Sequence, residues 1–241
     1  MLIYIRFNNF FSFLNENELS FSMGKKPSKS AYDVNVTTTQ DELRLNKVIA
    51  VLGANGSGKT QLLKSLSFLV WFIARSTQTL EHNEDLPFST FVSNSGNVSE
   101  FEIGFALLNE FGVYQEYRYE LTLLSKRVKR EALYKKTSSS FSYVFERFYQ
   151  DEKMSYKHRD FLRPSLADDV GANASLISYA TLLDIPIAIQ MVEFFKSFDT
   201  NLASNGRITS EKSHLTEVAE LLSTNEVLKK QAEKMLCQFD T

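Results

Sequence analysis

The sequence predicts an α/β fold, in which a buried strand, a glycine-rich loop and an amphipathic helix are followed by an antiparallel meander. Residues 47–52 form a continuous apolar run of strand length that ends at the first glycine of the loop. Residues 61–75 repeat leucine and isoleucine at spacings of four, three and four, which predicts one apolar helical face. Residues 99–149 alternate apolar and polar side chains, as strands do. A mixed sheet covered by helices accounts for all three observations.

The N-terminal residues predict an antiparallel pair of strands. Leu2, Tyr4 and Phe7 fit the first strand, and residues 19–23 fit its returning partner. Residues 24–44 are polar and contain glycine, proline and a run of threonines, which predicts a surface loop. Since the run that follows is apolar throughout, we expect it to be a strand buried on both faces.

The central part of the chain predicts a helix and then three strands. The helix is expected to pack on the sheet through Leu62, Leu66, Leu69 and Ile73. The strands are marked by three alternating sets of side chains. These are Phe101, Ile103 and Phe105; Tyr117, Tyr119, Leu121 and Leu123; and Phe141, Tyr143 and Phe145. Residues 109–112 supply turn chemistry between the first two strands, so an antiparallel meander is expected.

After a polar stretch at residues 150–173 the sequence predicts helices. Residues 176–198 are rich in helix formers and are interrupted by Pro186. Two further helices are expected over residues 210–222 and 224–239, the second opened by a capping box at residues 223–226. The chain is therefore expected to divide into a lobe of residues 1–150 and a helical segment of residues 151–241.

Composition restricts the classes of function. The 241 residues carry a formal net charge of -2 and 43% hydrophobic residues, which indicates a globular chain without a general basic bias. Cys237 is the single cysteine, so no internal disulfide is possible. The most apolar stretch, residues 62–74, is shorter than the ~20 residues that a bilayer requires. We expect a cytoplasmic protein that does not span a membrane.

Residues 53–60 match the phosphate-binding pattern G-x-x-x-x-G-K-[ST] of P-loop NTPases. Glycine permits the backbone conformations that turn successive N–H groups toward phosphate oxygens. We expect Lys59 to neutralise the β- and γ-phosphates of ATP as the catalytic residue, and the Thr60 hydroxyl to bind Mg²⁺. The predicted nucleotide-binding residues are Gly53, Ala54, Asn55, Gly56, Ser57, Gly58, Lys59, Thr60 and Gln61.

Other motifs are weaker. Residues 168–171 match the short D-x-x-G pattern of GTPases, but no N-K-x-D sequence follows, so GTP specificity is not supported. The basic run of residues 126–130 could contact nucleic acid, although charges on a strand lie more often on a solvated face.

The sequence lacks the carboxylate that nucleotide hydrolysis commonly uses. No buried strand ending in adjacent aspartate and glutamate occurs, and Asp184, the nearest candidate, lies in a helical pattern. Residues 222–226 have Asn225 where the L-S-x-G-[EQ] signature of ABC-type ATPases has glycine. The capping box explains this segment.

Several segments fall in an order similar to bacterial ABC-like AAA-family ATPases. The segments are residues 9–13, 53–60, 87–88, 99–103, 117–119, 130–134 and 145–147. This group is related to overcoming-lysogenization-defect nucleases and to the ATPase heads of SMC-type proteins, and many members act in anti-phage or abortive-infection systems. Phe11 stands where the family often has a basic residue, and no glutamine falls between Leu80 and Gly96.

The resemblance implies an ABC-type first lobe of a P-loop NTPase in residues 1–150, followed by a helical insertion in residues 151–241. The second ATPase lobe is expected to be absent from these 241 residues. ATP would bind between heads, drive their dimerisation and control a partner effector protein, while hydrolysis would require the second lobe or a partner. A homo-oligomer is the other assembly that the resemblance implies.

Two alternatives remain open from the sequence. A small-molecule or nucleoside kinase shares the P-loop, although a β-rich meander follows it here where such a kinase has acceptor-binding helices. A non-catalytic interaction module that binds nucleotide as a structural ligand is also compatible with the lack of a catalytic carboxylate.

Overall fold

The structure is a computed structural model, which describes residues 1–24, 32–81, 84–150, 153–203, 206–207 and 212–237. Its strands are β1 (Leu2–Asn8), β2 (Asn17–Ser20), β3 (Asp33–Thr37), β4 (Glu42–Asn46), β5 (Ser99–Leu108), β6 (Tyr114–Leu124), β7 (Arg127–Lys136), β8 (Phe141–Gln150), β9 (Lys153–His158), β10 (Leu202–Ala203) and β11 (Gly206–Arg207). Its α-helices are α1 (Lys59–Thr79), α2 (Pro164–Ala167), α3 (Leu176–Ala180), α4 (Pro186–Lys196), α5 (Lys212–Thr224) and α6 (Glu226–Cys237).

A seven-stranded sheet in the order β2-β1-β5-β6-β7-β8-β9 forms the main layer of the described residues. All of its neighbouring strands are antiparallel, and β5 to β9 form a continuous meander. The predicted meander is therefore confirmed. The expectation of a mixed sheet is wrong for the described strands, because every pair of neighbouring strands among them is antiparallel.

One face of the sheet packs against α1, α3 and α4 and forms the core. Side chains of alternate strand positions point to this face, as their period of two requires. The fully buried members include Ile5, Phe7, Ile103, Phe105, Tyr119, Leu121, Leu133 and Phe145 from the sheet and Phe68, Leu69, Phe72, Ile73, Ile177 and Phe195 from the helices. Of the leucines expected to face the sheet, Leu69 is buried, whereas Leu62 and Leu66 are half-buried. The predicted face of α1 is thus confirmed for Leu69 and Ile73, and the core also buries Phe68 and Phe72 beside them.

The opposite face of the sheet carries paired charges. Arg130 lies 2.6 Å from Glu120, and the Tyr134 hydroxyl donates to Glu146 at 2.6 Å. Glu146 also lies 2.8 Å from Lys157 on the neighbouring strand. Cross-strand pairs of opposite charge stabilise neighbouring strands. This face is consequently a solvated ladder of ion pairs and hydrogen bonds.

Residues 47–52 are not the buried strand that their composition predicts. They lie outside every strand of the described chain, and Val48 and Leu52 are 65% and 89% exposed. A strand buried on both faces needs hydrogen-bonded neighbours and covering side chains. The strands β1 and β5 to β8 each have a neighbour on both sides, and the segment pairs with neither of the two edge strands, β2 and β9.

Two other stretches contain strands that the sequence does not mark. β3 and β4 form a hairpin within residues 24–44 and just beyond, where a surface loop was expected; residues 25–31 of that stretch lie outside the described residues. Val36 and Leu45 of this hairpin are buried against Ile3. β9, within the polar stretch 150–173, pairs with β8. These three strands have two apolar residues each, so alternation alone did not reveal them.

The helices of the C-terminal region agree with the sequence prediction. α3 and α4 are separated near Pro186, and α5 is followed after one residue by α6. Asn225 accepts the backbone N–H of Leu228 at 3.1 Å and so caps α6, where a capping box at residues 223–226 was expected. Residues 210–211 and 238–239 of the predicted helices lie outside the described residues. The division of the chain at residue 150 stays a prediction.

A buried ion pair joins the meander to the helices. Glu131 of β7 and Arg147 of β8 are fully buried, with the Arg147 Nη2 2.6 Å from the Glu131 Oε2. The same carboxylate accepts hydrogen bonds from the Tyr119 and Ser175 hydroxyls, both at 2.8 Å. Burial, together with this negative charge, raises the pKa of Tyr119 well above its ordinary value. Ser175 caps α3, and its backbone N–H donates to Ser76 of α1 at 2.9 Å. The pair therefore fixes α3 against the helix that follows the P-loop.

In the described part of the chain, no single helix is long and apolar enough to cross a membrane. One pair, Leu176–Leu183 and Pro186–Lys196, satisfies the length and composition test together but is bent by 119°.

Candidate nucleotide-binding site

The glycine-rich loop has the backbone geometry that phosphate binding requires. Gly56 and Gly58 have φ angles of 80° and 89°, which residues with a Cβ rarely adopt. Gly58 is the N-cap of α1, so the loop leads directly into the positive end of a helix 21 residues long. Residues 53–57 are exposed. The loop thus lies open at the start of the helix, where the Ser57 N–H donates to the Ala54 carbonyl at 3.2 Å.

Lys59 folds back over the loop. Its Nζ lies 2.6 Å from the carbonyl oxygens of both Gly53 and Ala54, and 3.5 Å from the Ser57 Oγ. The ammonium therefore stands at the concave side of the loop, where its present partners are neutral oxygens. Phosphate oxygens are stronger acceptors for an ammonium than neutral carbonyls, because the hydrogen bond is then charge-assisted.

Thr60 and Gln61 fit the chemistry of a magnesium site. Thr60 is exposed in the first turn of α1, so its hydroxyl is free to bind a metal. The Gln61 Oε1 is buried and has no hydrogen-bond partner among the described residues. Mg²⁺ prefers oxygen ligands shared with phosphate. The Thr60 hydroxyl and the unpartnered Gln61 amide oxygen beside the loop are compatible with bound Mg-ATP. In that complex Thr60 would bind the metal and Lys59 would bind the β- and γ-phosphates.

The turn after β1 supports the loop from below. A Cβ at Gly58 would lie 3.1 Å from the Phe13 ring and 3.3 Å from the Ser12 Oγ, so the turn and the loop are in direct contact. Asn9 anchors the turn, because its side chain donates to the Val98 carbonyl at 2.9 Å and accepts from the Phe91 N–H at 3.1 Å. The P-loop is consequently held by the N-terminal strand as well as by its own helix.

Lys64 is a residue near this site that the sequence did not single out. It is 9% exposed, and its Nζ lies 4.8 Å above the centre of the Phe11 ring. Phe11 itself has a φ angle of 47° and donates its N–H to the Ser89 carbonyl at 2.7 Å. The sequence does contain a signal for this position. Lys64 interrupts an apolar helical pattern and follows Thr60 by four residues, a spacing that places both on one face of the helix.

The weaker candidates occupy unrelated positions. Asp184 has a φ angle of 55° at the end of a helical turn, and Asp168 ends α2. Of the basic side chains, Arg127 lies 5.2 Å from the Tyr149 ring. Lys136 lies 2.9 Å from Glu116 and Arg130 is paired on the outer face of the sheet. Arg130 and Lys136 are thus paired with carboxylates, whereas Arg127 contacts a neutral ring. Contact with nucleic acid stays a prediction.

The loop geometry, the lysine and the helix that follows them define a P-loop nucleotide-binding domain. The model of the protein family described as "AAA domain, putative AbiEii toxin, Type IV TA system" matches residues 48–206, which is more than half of the chain. The chain therefore belongs to this family of AAA domains, as the order of its motifs indicated. AAA P-loop domains bind ATP with Mg²⁺. No curated protein sequence matches the chain.

Proposed function

We propose that this chain is an ATP-binding subunit, or part, of an ABC-like ATPase in which nucleotide drives the association of two heads and so controls an anti-phage effector. The observation that carries the proposal is the P-loop, in which Lys59 and two glycines of positive φ stand at the start of α1. The description of the family, which names a toxin and a toxin–antitoxin system, supports the link to defence.

The exposed segment before the P-loop supports a site that is completed from outside the described residues. Residues 48–52 lie in no described strand, although their composition suits a buried one. Val48 and Leu52 present apolar side chains to solvent, together with backbone groups that a neighbouring strand could bind. We propose that strands from a second lobe or a partner pair with this segment. Such strands would also bring the carboxylate that hydrolysis requires.

Replacing Lys59 by alanine tests nucleotide binding. We expect Lys59→Ala to weaken Mg-ATP binding by about 100-fold, because the ammonium contributes charge-assisted hydrogen bonds to the phosphates. Isothermal titration calorimetry of both proteins measures the difference. Lys129→Ala, which removes an exposed lysine from β7, is the matched control and should bind as the wild type does. Equal affinities of Lys59→Ala and wild type would refute the nucleotide site.

A charge placed in the exposed segment tests its role in assembly. We expect Val48→Asp to change the free energy of unfolding of the 241-residue chain by less than about 0.5 kcal/mol, since the side chain is 65% exposed. In the protein isolated from its source cells, the same change should abolish ATP hydrolysis and ATP-dependent association, because an aspartate cannot be buried beside a new strand. Steady-state hydrolysis and light scattering measure these two properties.

Val92→Asp is the control for this experiment, since Val92 is 88% exposed and lies away from the P-loop segment in the sequence. It should leave both properties unchanged. Full hydrolysis by Val48→Asp would exclude the pairing of residues 48–52 with further strands.

A further inference from the structure

Lys64 occupies the same face of α1 as Thr60. The two residues are four positions apart, which places Lys64 about one turn and 6 Å further along the helix. Long side chains on a helix lean toward its N-terminus. The ammonium of Lys64 is therefore directed back toward the turn that carries Thr60, rather than toward the sheet beyond.

The charge of Lys64 is held without a carboxylate. The residue is 9% exposed, and in the part of the chain that the structure describes its ammonium makes no ion pair with an acidic side chain. Its contact is the Phe11 ring, 4.8 Å from the Nζ to the ring centre. The stem of this side chain is covered, while the ammonium at its tip keeps access to solvent. An ammonium that faces a ring and makes no ion pair with a described carboxylate can bind a negative group that reaches it from solvent.

Phe11 places this charge beside the P-loop. The ring belongs to the turn whose next two residues, Ser12 and Phe13, lie against Gly58 at the start of α1. Between Gly58 and Lys64, Gln61 has a buried Oε1 without a hydrogen-bond partner in the described residues. A buried amide oxygen without a hydrogen-bond partner in the described residues and an ammonium that contacts a ring thus lie on adjacent turns of α1 beside the phosphate-binding loop.

We propose that Lys64 is a second phosphate-binding cation, which contacts the terminal phosphate of a nucleoside triphosphate and lets the site distinguish it from a diphosphate. This inference rests on the proposed nucleotide site. Lys59 and the loop amides are placed to bind the phosphates nearest the loop, and Thr60 the metal shared by the last two. Lys64 lies one turn beyond Thr60 on the same face of α1. The terminal phosphate, which shares the metal held by Thr60, is therefore the phosphate that we expect the Lys64 ammonium to contact. The Phe11 ring holds the ammonium in place before the nucleotide binds.

Comparison of ATP and ADP affinities tests this role. We expect Lys64→Met, which keeps the apolar stem, to weaken ATP binding by about 10-fold or more and ADP binding by less than about twofold. Lys64→Arg should retain most of the preference for ATP. Arg75→Met removes an exposed charge from the same helix and should change neither affinity. Calorimetric titrations with each nucleotide and Mg²⁺ provide the measurements.

The outcomes separate this inference from the proposed function. Equal losses of ATP and ADP affinity in Lys64→Met, or no loss, would mean that Lys64 only supports Phe11, and the inference would be wrong. If Lys59→Ala also leaves both affinities unchanged, the nucleotide site itself is wrong. Circular dichroism checks that each variant folds. Should Lys64→Met not fold, Lys64→Gln is measured in the same way. The loss of ATP affinity relative to the loss of ADP affinity then decides.

Discussion

Truncating either side chain of the buried ion pair, by Glu131→Ala or Arg147→Ala, is expected to lower the free energy of unfolding by about 3–5 kcal/mol. Each substitution leaves the other charge inside the core without its counter-ion. The substitution Glu131→Ala would also leave the hydroxyls of Tyr119 and Ser175 without their acceptor. Urea denaturation followed by circular dichroism measures the loss.

Removing both charges together should cost much less than the sum of the single changes. The double variant Glu131→Leu with Arg147→Met keeps the volume and leaves neither charge unpaired, so its remaining loss should come from the Tyr119 and Ser175 hydroxyls that no longer have an acceptor. Lys126→Ala is an exposed control, because Lys126 lies 3.8 Å from Asp85 with about two thirds of each side chain in solvent. It should change stability by less than about 1 kcal/mol. Losses below that value in both single variants would show that the pair does not hold the core together.

The nucleotide-binding loop could be predicted because its signal is local. Eight consecutive residues match the motif, and Gly56 and Gly58 have the positive φ angles that such a loop requires. The meander could be predicted for a similar reason. Alternation in residues 99–149 is continuous over each strand, so a period of two is easily recognised.

Contacts between distant residues could not be predicted in this way. The Phe11 ring and Lys64 meet only in the folded chain, and no spacing in the sequence relates them. The buried pair was recognisable in principle, because Arg147 continues the period of Tyr143 and Phe145 and therefore faces the core. The sequence alone did not single it out, since charged residues are rarely buried.

The segment before the P-loop shows a different limit. Its apolar composition suits a strand that is buried between other strands. In the described chain, however, residues 48–52 pair with no strand, and Val48 and Leu52 are exposed. Burial of a strand depends on its neighbours, which composition does not identify. The disagreement between the composition of this segment and its exposure is the reason for proposing that further strands pair with it.

Replacing Phe10 by alanine is expected to lower the free energy of unfolding by about 3–5 kcal/mol and to weaken ATP binding as well. The side chain is fully buried, with its ring centre 4.7 to 6.1 Å from those of five other phenylalanines. They are Phe7, Phe11, Phe68, Phe88 and Phe101. Truncation would leave a cavity among these rings, which packed neighbours fill only in part.

The effect on nucleotide binding follows from the position of this cluster under the site. Phe10 precedes the turn that contacts Gly58, and it packs on Phe68 of α1, so it joins both supports of the P-loop. Phe111→Ala is the matched control, because that ring is 80% exposed and its loss should change stability by less than about 0.5 kcal/mol. Denaturation and ATP titration of both variants measure the two effects. A Phe10→Ala protein that loses stability but binds ATP normally would show that the P-loop keeps its geometry without support from the N-terminal turn.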